Sequence, residues 1–449
     1  MEKEGRIRDP EGLNIETSSI IKDDQIKLKE DPASAHTIGN DSWQQVSLLM
    51  VTTFNSGWIM SFPNVMLVPL GWAWGIIVLV LIGFMSAYGN WLLAGFHFIQ
   101  GERFIRYRDI MGFLFGKKMY YVTWLIQFSL FFLGNMGFIL LGGRALKEIN
   151  LVFSDTTMRL QYFIIITALV YLMFSFAVPN LSALRVWLGA STILTFGYVV
   201  LVFVTVVNDG KSKRHIDYEV KGSTMDKVFN ALGAVSAIVL SNNSGMIPEI
   251  QSTLRKPAIK NMKKVLCAQF TLALMVYYGV TIVGYWAYGS EVPDYLPKAI
   301  TGPKWAKVLI NSAVFLTNVI SQHMFLQPVH EALDTKFLKV EEGTYSRENI
   351  KRRFVLRSFL FTVNTVVAAA LPFMGYFINV LGSFTLVSLT FIFPSIIFIK
   401  VKGKSARTVQ KAWHWTIIFV FTLIAAATTI SAFRSVVISV KNYHFFSNQ

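Results

Sequence analysis

The sequence predicts an all-α integral membrane protein of eleven transmembrane helices, in which two inverted five-helix repeats are followed by one extra helix. Three observations predict it. The 449 residues are 53% apolar and 14% aromatic but only 15% charged, against about 25% in a soluble chain. The apolar residues gather into runs long enough to cross hydrocarbon about 30 Å thick at about 1.5 Å per residue. Two of those runs, the first and the sixth, are interrupted in the same way. No run alternates as a barrel strand would, so each must be a helix that satisfies its own backbone.

The same figures exclude other classes. The net charge is +16, from 42 Lys and Arg against 26 Asp and Glu. Such an excess points to nucleic acid only when it gathers on a folded polar domain, and no segment here is one. Cys267 is the single cysteine, which rules out an intramolecular disulfide and any cysteine-based zinc site. His330-Glu331 begins like a zinc-protease motif but lacks the second His. No intramembrane Asp pair or His cluster is present, so no enzyme chemistry, metal or cofactor is expected.

Residues 1–42 carry 10 acids and 6 bases without apolar periodicity, and are expected to be a disordered cytoplasmic tail. No cleavable signal peptide is evident. Spans are expected at 43–69, 72–98, 119–142, 160–178 and 185–207, making a first repeat over 43–207. The second repeat, 208–400, holds spans at 227–251, 264–288, 305–334, 354–371 and 376–400. The eleventh span, 413–435, lies in a final segment, 401–449, that ends in a short extracellular C-terminus. With the N-terminus inside, cytoplasmic segments hold 28 Lys and Arg and the opposite loops 11, as the positive-inside rule requires. Merging the ninth and tenth spans across Leu371–Gly375 would move the basic 400–412 loop outside, so the charge pattern favours eleven.

The two interruptions read alike. The first span contains Asn55-Ser56-Gly57-Trp58-Ile59 followed by Pro63. The sixth contains Asn243-Ser244-Gly245-Met246-Ile247 followed by Pro248. Gly, Asn and Ser are poor helix formers, and proline favours a restart or a kink. Matched interruptions in two halves of a transporter-like bundle mark a binding site. The half-helix N-termini beyond them offer N–H groups and a positive dipole end, which suit a carboxylate. Small residues that merely allow tight helix packing would explain one such motif, but less readily a matched pair.

Other intramembrane polar residues are few. Gln127, Phe131 and Asn135 share a face of the third span. Asn318 and His323 lie near mid-depth in the eighth. Glu249 sits one turn past the second interruption. Buried polar groups in hydrocarbon face the bundle interior, either bonding between helices or lining a pocket. Glu249 and His323 are the candidates for a coupling proton, with a structural anchor as the alternative for Glu249.

At these residues the chain resembles the amino acid/auxin permease family, in particular its plant proline-transporter branch. The matching stretches include Val68-Pro69-Leu70-Gly71-Trp72, Ile105-Arg106-Tyr107-Arg108-Asp109, Phe115-Gly116-Lys117-Lys118-Met119-Tyr120, Pro248-Glu249-Ile250-Gln251 and Gly284-Tyr285-Trp286-Ala287-Tyr288-Gly289. The resemblance implies a LeuT-type fold and proton-coupled import at the plasma membrane. It implies substrates such as proline, glycine betaine and γ-aminobutyrate, each with a carboxylate and a cationic nitrogen. The carboxylate would meet N–H groups around Ser56–Trp58 and Ser244–Met246, and the cation an aromatic face such as Trp58 or Phe131. Expected substrate contacts are therefore Asn55, Ser56, Gly57, Trp58, Phe131, Ser241, Asn242, Asn243, Ser244, Gly245 and Asn318. The expected partners are that small zwitterion and the lipid bilayer, with the chain monomeric. A broader neutral amino acid permease, or a non-transporting sensor of the same fold, is the alternative. The sensor would be expected to gain a long cytoplasmic domain.

Overall fold

Ser42 opens the first helix through a reciprocal cap. Its hydroxyl accepts from the Gln45 N–H, and the Gln45 side chain accepts from the Ser42 N–H, which satisfies two otherwise orphaned donors. The computed structural model describes residues 39–154, 158–178, 184–213, 215–339, 342–343, 346–372 and 374–442. Most of the expected N-terminal tail and the last seven residues lie outside them.

Helix α1 (Trp43–Phe54) stops at Asn55, and a 3-10 turn (Gly57–Met60) and a π turn (Pro63–Leu67) continue its course. Then come α2 (Gly71–Ala94), a two-residue hairpin of β1 (Phe98–Ile99) and β2 (Glu102–Arg103), and α3 (Tyr107–Phe115). Three long helices complete the first half: α4 (Lys117–Phe153), α5 (Leu160–Ala177) and α6 (Arg185–Ser212). In the second half, α7 (Thr224–Asn242) is capped by Ser223 and stops before Asn243, and α8 (Ile247–Ser252) resumes after the gap. Helix α9 (Ala258–Ala268) runs through a π turn into α10 (Leu274–Tyr288), and α11 (Lys304–Phe337) and α12 (Arg347–Ala370) follow. Helix α13 (Met374–Val380) passes through two π turns (Leu381–Thr385, Ser388–Ile392) to α14 (Phe393–Lys402), and α15 (Thr408–Asn442) ends the described chain.

Among the described residues, nine helical stretches are long and apolar enough to cross a membrane, and the chain is a multi-pass membrane protein. The first and sixth expected spans are not among the nine: both are broken, and the longer piece of the sixth, long enough by itself, opens with Asp226 and Lys227 and is not apolar enough. The first falls into pieces of 12, 4 and 5 residues, the sixth into pieces of 19 and 6. The expected loop over 99–118 needs correction, since it holds the hairpin and α3. Helix α3, at nine residues, is too short to read as a span, yet Tyr107, Arg108, Ile110 and Met111 turn into the bundle.

The polarity is that of a protein dissolved in lipid. Phe84 and Ile193 are each 75% exposed, while Asn55, Asn318, Gln322 and His323 are fully inaccessible. Hydrocarbon receives the apolar side chains, and the interior collects the polar ones.

Helix α11 packs along α4 and α6, and α7 lies against α2 and α15. Near one end of α4, Arg144 pairs with Asp294 at 2.7 Å and donates to the Pro372 carbonyl at 3.3 Å. Toward the other face, Asp334 of α11 pairs with Arg357 of α12 at 3.3 Å. The segment after α13 touches α7 backbone to backbone. A Cβ on Gly382 would come within 1.8 Å of the Ser236 carbonyl oxygen.

Candidate functional site

Each helix break leaves backbone groups that hydrocarbon cannot satisfy, and neighbouring side chains take up most of them. At the first break, the Tyr198 hydroxyl donates to the Asn55 carbonyl. The Gly57 N–H donates to Asn318 Oδ1 at 2.8 Å. At the second, Gln269 donates to the Asn242 carbonyl at 3.1 Å and Gln127 to the Gly245 carbonyl at 2.9 Å. Gly245 has φ +67°, a left-handed conformation that costs glycine little. The breaks are thus built features, each held by side chains from other helices.

Between them lies a partly open cavity with about 520 Å³ of atom-free space. The first break contributes Thr53, Phe54 and Trp58, and the second Leu240, Ser241, Asn243 and Ser244. Phe62, Phe138, Met324, Phe325 and Leu381 complete the walls. Trp58 packs edge-on against Phe138, with centroids 5.4 Å apart.

Of the expected contacts, Trp58, Ser241, Asn243 and Ser244 line this cavity, and the others have different places. Phe131 sits a level away, edge-on to Phe325 at 5.2 Å. Asn318 binds the Gly57 N–H, so that amide is not open to a carboxylate as expected. Asn55 turns its amide nitrogen back to the Val51 carbonyl at 2.8 Å. Asn55 Oδ1, Ser56 Oγ and Asn318 Nδ2 are buried without a hydrogen-bond partner among the described residues. Gly57 and Gly245 act through their backbones, as close-approach points rather than walls.

Asn242 anchors the second break. Its Oδ1 accepts from the Tyr277 hydroxyl at 3.0 Å, and its Nδ2 donates to the Ile238 carbonyl at 2.8 Å and to the Tyr278 hydroxyl at 3.0 Å. Asn243 lines the cavity while holding α2, donating to Ser86 at 2.9 Å and accepting from Asn90 at 2.8 Å. Asn242→Ala leaves the Tyr277 hydroxyl buried without its acceptor, which costs about 1–3 kcal/mol. The expected result is a lower melting temperature of the purified protein. Adding Tyr277→Phe should recover part of the loss, and a strictly additive double variant would contradict the network.

The coupling candidates also separate. Glu249 Oε1 accepts from the Tyr107 N–H at 3.0 Å and from Gln127 at 3.1 Å, while its buried Oε2 has no hydrogen-bond partner among the described residues. It therefore joins α8 to α3 and α4. The His323 ring packs against Phe174 and His330, with centroids 5.6 and 5.7 Å away, and does not line the cavity. Asn135 and Gln322, which could have faced a pocket, bond to each other across α4 and α11 at 2.7 Å.

Sequence reasoning gave Arg106, Arg108, Asp109 and Glu331 no functional role. The Arg106 guanidinium grips both oxygens of Glu331, tying α3's N-terminus to α11. Burial raises the Asp109 carboxyl above its ordinary range, and Arg106 and Arg108 draw it back down. Arg106 and Arg108 read as part of a basic loop, and only packing shows Tyr107 and Arg108 to be buried, with Arg106 and Asp109 half-buried beside them.

Residues 39–435 match the family described as transmembrane amino acid transporter protein. The chain is 28% identical over 424 residues to GABA transporter 1 of Arabidopsis thaliana, covering 91% of this chain and 93% of that one. It is 23% identical to Lysine histidine transporter-like 1 of the same plant over 420 residues, 91% of each chain. To Lysine histidine transporter-like 3 it is 22% identical over 441 residues, 95% of this chain and 96% of the other.

Proposed function

Because the chain belongs to the transmembrane amino acid transporter family, whose members are carriers rather than enzymes, we propose that it imports a small zwitterionic amino acid together with protons. The candidate solutes are γ-aminobutyrate, proline and glycine betaine. The observation that supports this reading is the cavity bounded on two sides by helix breaks. The amide of Ser244, in the gap before the second half-helix, is the place for a carboxylate, since Ser244 lines the cavity and Asn318 already holds the first break's Gly57 amide. The Trp58 face is the place for the cationic nitrogen. In this reading the two broken helices and the nine continuous spans make eleven passes. Ten of them form a LeuT-type inverted repeat, and alternating access moves one half against the other. The N-terminus is cytoplasmic, the C-terminus extracellular, and the membrane is the plasma membrane. The chain works as a monomer, without cofactor or metal.

Competition for uptake in cells lacking amino acid permeases tests the substrate class. Proline, γ-aminobutyrate and betaine should compete more strongly than lysine, histidine or large neutral amino acids. Dominance by lysine and histidine would overturn the compatible-solute reading, and absence of any uptake would overturn transport, leaving a sensor of the same fold.

We assign the coupling proton to Glu249, whose Oε2 has no hydrogen-bond partner among the described residues and whose Oε1 bonds reach two other helices. Wild-type uptake should rise as external pH falls and collapse with a protonophore. Glu249→Gln keeps the side chain's shape, and should flatten the pH response at least several-fold. An unchanged pH profile in a well-expressed Glu249→Gln protein would place the coupling elsewhere.

A further inference from the structure

A second cavity of about 330 Å³ lies next to the first. Trp124, Gln127, Phe128 and Phe131 of α4 and Pro328 and Leu333 of α11 line it, together with Arg108 of α3. The edge-to-face pair of Phe131 and Phe325 separates the two spaces, since Phe325 lines the first cavity and Phe131 the second. Along α4, the step from Phe138 to Phe131 is about 10 Å. Along α11, which runs the opposite way, the lining moves on from Phe325 to Leu333. Both steps lead toward the segments 99–116 and 338–339, the cytoplasmic side in the orientation proposed above.

Arg108 is only 8% exposed. Among the described residues its one salt bridge is to Glu331, at 3.7 Å, a group Arg106 already grips with two nitrogens, while Asp109 and Glu249 feel its charge without pairing with it. Arg108 Nε is buried without a hydrogen-bond partner among the described residues. A buried guanidinium donor left open is costly, and the guanidinium fork matches a carboxylate in geometry and charge. The aromatic and aliphatic walls suit the organic body of a small amino acid.

We propose that this second cavity is an exit station, in which Arg108 receives the carboxylate of the transported amino acid once it has passed the Phe131–Phe325 partition. The inference rests on the transport reading above. Arg108 has no part in the first cavity, so the two sides of the membrane should respond differently to its loss.

Proteoliposomes holding the full chain are preloaded with γ-aminobutyrate, or with proline where the competition panel ranks it higher, and parallel vesicles with acetate. Uptake of the same labelled amino acid from outside is then followed. Internal amino acid should inhibit wild-type uptake. Arg108→Gln should raise the internal concentration for half-inhibition about tenfold, with a much smaller change in external half-saturation. Arg108→Lys keeps the charge but not the fork, and should recover part of the internal affinity. It also carries the test if the glutamine variant fails to reach the membrane. Equal shifts on both sides, or none on the inner side, would overturn the station. Inhibition by acetate as strong as by the amino acid, and equally weakened by Arg108→Gln, would overturn the assignment to the solute's path in favour of a general cytosolic carboxylate. Wild-type vesicles that take up no amino acid would instead fail the transport reading itself, whatever the variants do.

Discussion

Gly57→Leu is expected to abolish uptake, by at least a hundredfold, while the chain still reaches the membrane. A Cβ at this position would lie 2.6 Å from Asn318 Nδ2, 2.8 Å from its Oδ1 and 2.9 Å from Val314 Cγ1. Leucine therefore pushes α11 off the first break and separates the Gly57 N–H from its acceptor. Overpacking of this kind costs about 1–3 kcal/mol, which a bundle of this size survives, but a shift of about 1 Å in positioning groups is enough to stop function. Uptake of labelled solute, normalised to surface protein, is the measurement. Uptake within twofold of wild type would remove the first break from the site. Gly57→Ala should lie between the two, because its single methyl meets a side chain that can give way.

Gly382→Val is expected to fail earlier, at folding. Here the obstacle is backbone, with the Ser236 oxygen 1.8 Å and its carbonyl carbon 2.4 Å from the new Cβ. No rotamer change relieves that contact, so the segment after α13 must part from α7 along its length. The loss should exceed about 3 kcal/mol, the upper end for ordinary overpacking. It should appear as retention inside the cell and early unfolding in detergent. Normal surface levels of Gly382→Val would show that α7 and this segment are not in rigid contact. The two glycines thus make opposite predictions, loss of transport with the protein present and loss of the protein itself.

Much of this was legible in the sequence, for a physical reason. Hydrocarbon allows only helices with satisfied backbones, so apolar runs, basic loops and the paired Asn-Ser-Gly breaks fix where the chain crosses and where it opens. What stayed hidden was the pairing of polar groups with one another. Asn242 and Asn318 look like free ligands in sequence, but one is consumed by two tyrosines and the other caps Gly57. Phe131 and Phe138 are seven residues apart and share a face of α4. Periodicity gives that face but not the depth, and depth puts them in different cavities. Leu240, Leu381 and Met324 line the first cavity, yet nothing in an apolar residue distinguishes a wall from a core. Arg108 was hidden by its neighbours, since a basic stretch between spans looks like solvated loop until α3 is seen to fold inward.

The length of α4 has a mechanical consequence. Its 37 residues make a rod of about 55 Å, well beyond the hydrocarbon thickness of about 30 Å. Arg144 lies toward one end of that rod, held to Asp294, and Lys117 at the other adjoins α3. If the rod tilts by about 10° around its midpoint, the Lys117 tip swings by about 5 Å and Arg144, about 14 Å from the midpoint, by about 2 Å, close to the 2.7 Å length of the Arg144–Asp294 contact. Rocking that leaves the packing at its centre in place would lift α3 at one end and stretch the Arg144–Asp294 latch toward the other. A single lever of this reach can couple the opening of one side to the closing of the other.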